Sequence, residues 1–153
     1  MSYRDVFGEI LADHHESPRN WGVLEHPTRV EQGYNPLCGD KISLSMEAAA
    51  AAAGPAETLC HVAFEGEGCS ICMASASIMS SMIEGKSFSE IQKLIEGFRQ
   101  IMQGAEAVEG MPKADEEQDI VSLYGIKRFP VRIKCALLPW TTLKKGLEAI
   151  HAK

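Results

Sequence analysis

The sequence predicts an α+β fold, in which a small three-stranded antiparallel sheet packs against several helices. Three segments have the character of strands, at residues 28–34, 41–46 and 58–64. The second alternates apolar residues with serines at period two, and short turns join the strands. Helical patterns follow the third strand, so the sheet is predicted to pack against helices.

The chain before the strands is predicted to form one short helix and then an extended arm. Apolar residues at helical spacing place the helix at residue 2 to about residue 14, with Ser2 and Asp5 as an S-x-x-D start. Residues 15–28 contain two prolines and a Trp-Gly pair, which favour a loop.

Two helices are predicted after the strands. A run of alanines at residues 48–53 is interpreted as a helical or flexible connector. Residues 70–84 are rich in small side chains, which allow a helix to lie close on a sheet. Ser87 and Glu90 form a capping box that predicts the start of the next helix.

The last third of the chain is predicted to contain a loop and two further helices. Residues 104–118 combine acidic side chains with Gly and Pro, which favours an exposed inserted loop; a docking patch for a basic partner is the alternative. Residues 119–124 are expected to form a short helix. A C-terminal helix is expected at residues 140–152, with Pro139 starting or kinking it.

Length and composition restrict the class of protein. A chain of 153 residues is predicted to form one domain over residues 1–153. The net charge of −6 argues against binding to nucleic acid or to an anionic membrane. No apolar run approaches a membrane span of about 20 residues, and no signal peptide is visible, so the cytoplasm is the expected compartment. The five cysteines would be reduced there, which favours thiol or metal chemistry.

Residues 35–40 (NPLCGD) form the motif on which the functional prediction depends. Cys38 and Asp40 lie two positions apart in a turn where Pro36 fixes one backbone angle and Gly39 accepts a positive φ. Such a turn can direct a thiol and a carboxylate to one centre, so we predict a ligand loop.

Two other cysteines, Cys69 and Cys135, lie beside features that could stabilise a thiolate. Cys69 precedes a helical pattern, and the N-terminus of a helix favours a thiolate. Cys135 follows Arg132 and Lys134, cations that could stabilise a thiolate or a transferred anionic sulfur. The same two cations could equally form a solvated face.

Cys38, Asp40, Cys69 and Cys135 together offer three thiolates and one carboxylate, a set suited to tetrahedral zinc. Four protein ligands leave no open position for water, so hydrolysis is disfavoured and chemistry would require one ligand to leave. Cys38, on its flexible turn, is the natural candidate. Cys69 and Cys72 also form a C-x-x-C that could be a redox pair, although Cys72 could instead be a buried apolar residue.

Three cysteine motifs together resemble the IscU/SufU (NifU N-terminal-like) family of iron–sulfur cluster assembly proteins: residues 35–40 (NPLCGD), 66–71 (GEGCSI) and 132–140 (RIKCALLPW). The resemblance covers nearly the whole chain and is closest to the SufU branch, because Lys134 stands where IscU-type members usually have His. The long span between the second and third cysteines is also SufU-like. One departure is Cys72, where relatives commonly have a small residue such as Ser.

The resemblance implies a fold, a metal and partners. SufU proteins bind zinc at the positions of Cys38, Asp40, Cys69 and Cys135, and they accept persulfide sulfur from a SufS-type, PLP-dependent cysteine desulfurase. Cys38 would be the acceptor, and a downstream cluster-assembly scaffold would receive the sulfur. The alternative is a scaffold that binds iron and assembles a [2Fe–2S] cluster on the same ligands.

Overall fold

The structure is a computed structural model that describes residues 3–50, 56–113 and 117–151. Within these ranges the order is two short helices, three strands, three further α-helices, a short 3₁₀-helix (Gly125–Arg128) and a final α-helix. No helix within them is both long and apolar enough to cross a membrane. Ser2 of the predicted helix start lies outside the described residues.

The three strands form the predicted antiparallel sheet, in the order β1 (Arg29–Asn35), β2 (Asp40–Ala50) and β3 (Ala56–Glu67). Asn35 pairs with Asp40, so residues 36–39 form the turn between β1 and β2. The α+β fold class is therefore confirmed, and the ligand loop lies at one end of the sheet.

Strand β2 continues beyond its predicted end at Met46. Ala48 pairs with Leu59 and Ala49 with Thr58, so the interpretation of residues 48–50 as a helical or flexible connector was wrong. Pairing with β3 outweighs the helix propensity of alanine here, because each residue gains its hydrogen bonds from the neighbouring strand. Residues 51–53 of the alanine run lie outside the described residues.

The helices predicted in the middle of the chain are present as α3 (Ser70–Ile83), α4 (Phe88–Met102) and α5 (Gln118–Tyr124). Here α1 (Tyr3–Phe7) and α2 (Glu9–Glu16) precede the sheet. The predicted capping box is confirmed: the Glu90 N–H donates to Ser87 Oγ over 3.1 Å, and the Ser87 N–H donates to Glu90 Oε1 over 3.2 Å.

The N-terminal region is two helices and not the single one predicted. Gly8 separates α1 from α2 with a φ of 93°, outside the range of a right-handed helix. Beyond α2 the chain forms the expected loop, with turns and bends over residues 17–28, and Trp21 packs edge-on against Phe64 with ring centroids 5.3 Å apart. The arm thereby covers part of the edge of β3.

Between α4 and α5, residues 103–113 form neither helix nor strand, and they are not uniformly exposed. Met111 is buried against Gly97 of α4, which anchors the middle of the loop. Residues 114–116 lie outside the described ranges.

The C-terminal helix α6 (Pro130–His151) begins ten positions before the predicted start at residue 140. Pro130 occupies the first position, where its missing N–H costs nothing. Pro139 lies inside the helix, and the packing of its neighbour offsets the loss of a backbone bond. Trp140 stacks on Phe98 with ring centroids 4.7 Å apart, and its Nε1–H donates to Ser75 Oγ over 3.0 Å.

Helix α6 lies directly on the sheet because two glycines permit a close approach. A side chain at Gly33 of β1 would collide with Thr142, and one at Gly146 would collide with Met46 of β2. The first half of α6, which contains Cys135, is thereby held near the end of the sheet where β1 turns into β2.

Candidate metal and thiol centre

Cys38, Asp40 and Cys135 form a cluster at the end of the sheet. One ligand atom from each lies within 4.8 Å of the other two. Cys38 is in the turn between β1 and β2, Asp40 is the first residue of β2, and Cys135 is in α6. The fold thus brings together residues that are 97 positions apart in the chain.

Asp40 is fully buried, and both of its carboxylate oxygens accept hydrogen bonds. The backbone N–H of Cys69 donates to Oδ1 over 2.7 Å, and the Asn35 side-chain amide donates to Oδ2 over 3.2 Å. Gly68 makes this arrangement feasible, since a Cβ there would come within 2.7 Å of the Asp40 Cα. These contacts hold the carboxylate in one orientation.

Cys69 is the N-cap of α3, the helix-terminal position that the sequence predicted. It is not part of the group whose ligand atoms all lie within 4.8 Å, although its thiol contributes to the raised pKa of Cys135. Three of the four candidate ligands are therefore clustered, and Cys69 lies at the edge of the cluster.

The Cys135 thiol is fully buried, and its Sγ lies 3.3 Å from the Cys38 Sγ. Burial, followed by hydrogen bonds with Cys38, Asp40 and Cys69, raises the pKa of Cys135. A buried group of thiols and a carboxylate cannot hold several negative charges without a cation beside it. The cluster has the electrostatics of a cation site.

Arg132 and Lys134 have different surroundings. Partial burial alone would lower the pKa of the Arg132 guanidinium. The charge of Cys69, hydrogen bonding to Cys135 and the charges of Cys135 and Cys38 outweigh burial, and the pKa is raised. Lys134 is exposed to solvent. Arg132 thus belongs to the thiol centre, and Lys134 faces outwards.

Cys72 does not resemble one half of a redox pair. It is fully buried, and that burial, with the nearby Asp40, Cys69 and Cys38 charges, raises the pKa of its thiol. The sheet is also antiparallel, in contrast to the parallel βαβ context of thioredoxin-like motifs. The structure favours the alternative that Cys72 is a buried apolar residue.

Sequence reasoning assigned no role to Asn35 or Gly68. Both are within the motifs that were recognised, and the signal for each was its position: Asn35 ends β1 opposite Asp40, and Gly68 immediately precedes Cys69.

A hydrogen-bonded His14 was also missed. It is buried away from the thiols between Ser77 Oγ, 2.7 Å from its Nδ1, and Asp119 Oδ2, 2.8 Å from its Nε2.

The surface near the thiols exposes large apolar side chains. Leu37, adjacent to Cys38, is 76% exposed, and Val131, adjacent to Arg132, is 77% exposed. Exposed apolar side chains beside this cluster of thiols are a candidate surface for contact with another protein.

Fold and centre together define an α+β protein in which thiol and carboxylate groups from three separate elements meet at one end of the sheet. The chain belongs to the family of NifU-like N-terminal domains, which it matches over residues 6–153.

Curated relatives cover most of the chain, among them a sulfurtransferase and a scaffold protein. One is the zinc-dependent sulfurtransferase SufU of Bacillus subtilis, 39% identical over 142 residues, which are 93% of this chain and 89% of that protein. The other is the iron–sulfur cluster assembly scaffold protein IscU of Thermotoga maritima, 34% identical over 150 residues and 98% of both chains.

A solved structure has the same fold. It is a crystal structure described as an iron–sulfur cluster assembly scaffold protein for the SUF system, from Fervidobacterium islandicum. It has a TM-score of 0.82 and 30% sequence identity, and the match covers 95% of this chain and 99% of that one.

Proposed function

We propose that this protein is a zinc-dependent sulfurtransferase of iron–sulfur cluster assembly, and that Cys38 accepts persulfide sulfur from a SufS-type, PLP-dependent cysteine desulfurase. The observation that carries the proposal is the cluster of Cys38, Asp40 and Cys135, with Cys69 beside it. The SufU relative at 39% identity supports the choice of zinc and of sulfur transfer.

The residues at the centre fit zinc. Three cysteines and one aspartate supply the thiolate and carboxylate donors that zinc accepts. Sulfurs around a tetrahedral zinc lie about 3.8 Å apart, because each Zn–S bond is about 2.3 Å long. The separation of 3.3 Å between the Cys38 and Cys135 sulfurs is close to that spacing. Cys38, Asp40, Cys69 and Cys135 would hold the metal.

Bound zinc would supply positive charge that favours the deprotonated form of the thiols. In the transfer step the Cys38 thiolate attacks the terminal sulfur of the donor's persulfide. A bond forms between Cys38 Sγ and that sulfur, the donor's own S–S bond breaks, and the donor cysteine leaves as a thiolate. The acceptor then carries the persulfide, and the electrons and atoms balance without a further oxidant or reductant.

Arg132 and Lys134 would support this step in different ways. The guanidinium of Arg132, already influenced by the thiolate charges, would stabilise the anionic terminal sulfur after transfer. Lys134, which is exposed, would contact the partner and not the sulfur. Both roles are part of the proposal.

The partners follow from the chemistry. The sulfur donor would dock at the surface of Leu37 and Val131, and a downstream cluster-assembly scaffold would then receive the sulfur. We further propose that residues 1–153 act as one domain in the cytoplasm, with residues 104–117 as an inserted loop, one residue shorter than predicted because Gln118 begins α5.

The proposal is tested by sulfur transfer from a purified cysteine desulfurase supplied with cysteine. Intact mass and alkylation would count the sulfur atoms added to wild type, Cys38→Ser and Cys60→Ser. Cys60 is a half-buried thiol in β3 and serves as the matched control. We expect wild type and Cys60→Ser to gain one persulfide at Cys38 and Cys38→Ser to gain none. Equal sulfur uptake by Cys38→Ser would refute the assignment.

A second candidate function is assembly of a [2Fe–2S] cluster on the same four residues before its transfer. The relative that covers 98% of both chains is named an IscU scaffold, and sulfur-rich ligands suit iron as well as zinc. Elemental analysis of the purified protein distinguishes the two functions. Near one zinc per chain supports the sulfurtransferase, whereas iron with acid-labile sulfide and little zinc supports the scaffold.

A further inference from the structure

Asn35 is a buried amide that contacts two of the proposed ligands. It is 6% exposed and lies opposite Asp40 in the antiparallel pairing of β1 with β2. Directly opposite residues of such a pair direct their side chains to the same face of the sheet. The pairing therefore fixes the Asn35 amide against the Asp40 carboxylate.

The two contacts show which end of the amide faces the centre. Asn35 Nδ2 lies 3.2 Å from Asp40 Oδ2 and 3.7 Å from Cys135 Sγ. A carboxylate oxygen and a thiolate sulfur are both acceptors, so only the NH₂ end of the amide satisfies both. One side chain thus bridges a ligand from β2 and a ligand from α6.

The Asn35 amide also helps to balance the negative charge of the proposed ligands. Three thiolates and a carboxylate would place four negative charges in a largely buried space, and such charges need donors or cations around them. Arg132 contributes one positive charge near the thiols. The Asn35 amide contributes two N–H donors with no charge, and the Cys69 N–H completes the hydrogen bonds to Asp40.

We infer that Asn35 is a positioning residue for the metal, an inference that rests on the proposed zinc site. By holding Asp40 Oδ2 and Cys135 Sγ together, it sets the affinity of the centre for zinc. It also keeps these two ligands in place when Cys38 is used to accept sulfur. Hydrogen-bonding partners of metal ligands typically change metal affinity by about 10–100-fold when they are replaced.

The test compares wild type with Asn35→Leu, which has a similar size but no donor. Zinc dissociation constants are measured by competition with a chromophoric chelator, and the thiolate-to-cobalt absorption bands are recorded after loading with Co²⁺. We expect about 10–100-fold weaker zinc binding and shifted cobalt bands in Asn35→Leu. If Asn35→Leu does not fold, Asn35→Ser is used, since its shorter side chain cannot span both ligands.

A control variant separates positioning from general destabilisation. Ser45 is a buried residue of the same strand as Asp40, and its Oγ accepts a hydrogen bond from the Leu24 N–H. Ser45→Ala is expected to lower stability without changing zinc affinity or the cobalt bands. The inference is overturned if the Asn35 variant binds zinc within twofold of wild type with unchanged bands, or if Ser45→Ala weakens zinc equally. Failure of wild type to bind zinc would instead overturn the proposed function.

Discussion

Gly68→Ala is expected to disturb the centre without replacing any candidate ligand. Gly68 has a φ of +143°, and an added Cβ would lie 2.7 Å from the Asp40 Cα and even closer to the Asp40 carboxylate. The clash can be relieved only if Asp40 or the backbone before Cys69 moves. Either movement breaks the bond from the Cys69 N–H to Asp40 Oδ1.

Gly85→Ala provides the matched control. Gly85 also has a positive φ, +83°, but nothing lies within 4 Å of an added Cβ. The backbone strain of an L-residue at such a positive φ costs about 1–3 kcal/mol, and both variants should lose stability from this source. The forced displacement of Asp40 adds about 1–3 kcal/mol in Gly68→Ala alone.

Urea denaturation and zinc titration together test this reasoning. We expect Gly68→Ala to lose about 2–6 kcal/mol of the free energy of unfolding and to bind zinc at least tenfold more weakly than wild type. Gly85→Ala should lose only the strain and retain the zinc affinity of wild type. Equal stability losses in the two variants, with equal zinc affinity, would refute the role assigned to Gly68.

Three further predictions follow from the site, its surface and a helix. Removal of zinc by a chelator should lower the free energy of unfolding, as measured by urea denaturation. Relative to protein held at a free zinc concentration 100-fold above its dissociation constant, the loss should be about 2.7 kcal/mol. No change would argue against a metal site in the folded state. Leu37→Glu should weaken desulfurase binding at least tenfold in a titration. Val23→Glu, which changes another exposed residue, should leave the affinity unchanged. Equal losses of affinity in the two variants would contradict the proposed docking surface. The hydrogen bond from Arg99 lowers the pKa of Glu96 from 4.5 to about 2, so the stability contributed by this ionised carboxylate should be complete above pH 4.5 and lost as the pH falls towards 2. Urea midpoints of wild type and Glu96→Gln should therefore converge with falling pH, and a constant difference would contradict the assignment.

Much of the fold could be predicted because its signals are local. Alternating residues around Ile42 and Leu44 identified β2, and the Ser87–Glu90 capping box identified the start of α4. Both patterns depend on neighbours within a few positions, which a sequence displays directly.

The errors arose where distant contacts outweighed a local preference. Ala48 joins β2 because Leu59 lies opposite it, and α6 continues through Pro139 because Trp140 is held by Phe98 and Ser75. No local pattern contains these partners. A break at Gly8 could have been anticipated, since glycine favours helix ends.

The candidate site was predicted at the level of residue types and not of geometry. The cysteine motifs named Cys38, Asp40, Cys69 and Cys135, but the spacing along the chain could not show that Cys69 lies at the edge of the cluster. The bridge from Asn35 to Asp40 and Cys135 depends on strand register and on the docking of α6, both of which are tertiary properties.

The distribution of the thiols along the chain has a consequence during synthesis. Cys135 follows Cys38 by 97 positions, and translation at about 5–20 residues per second separates their appearance by roughly 5–20 s. During that interval the nascent polypeptide contains Cys38, Asp40 and later Cys69 without the helix that completes the cluster. The early cysteines therefore stay without their α6 partner until that helix emerges, and the cluster of Cys38, Asp40 and Cys135 can form only when nearly the whole fold has been made.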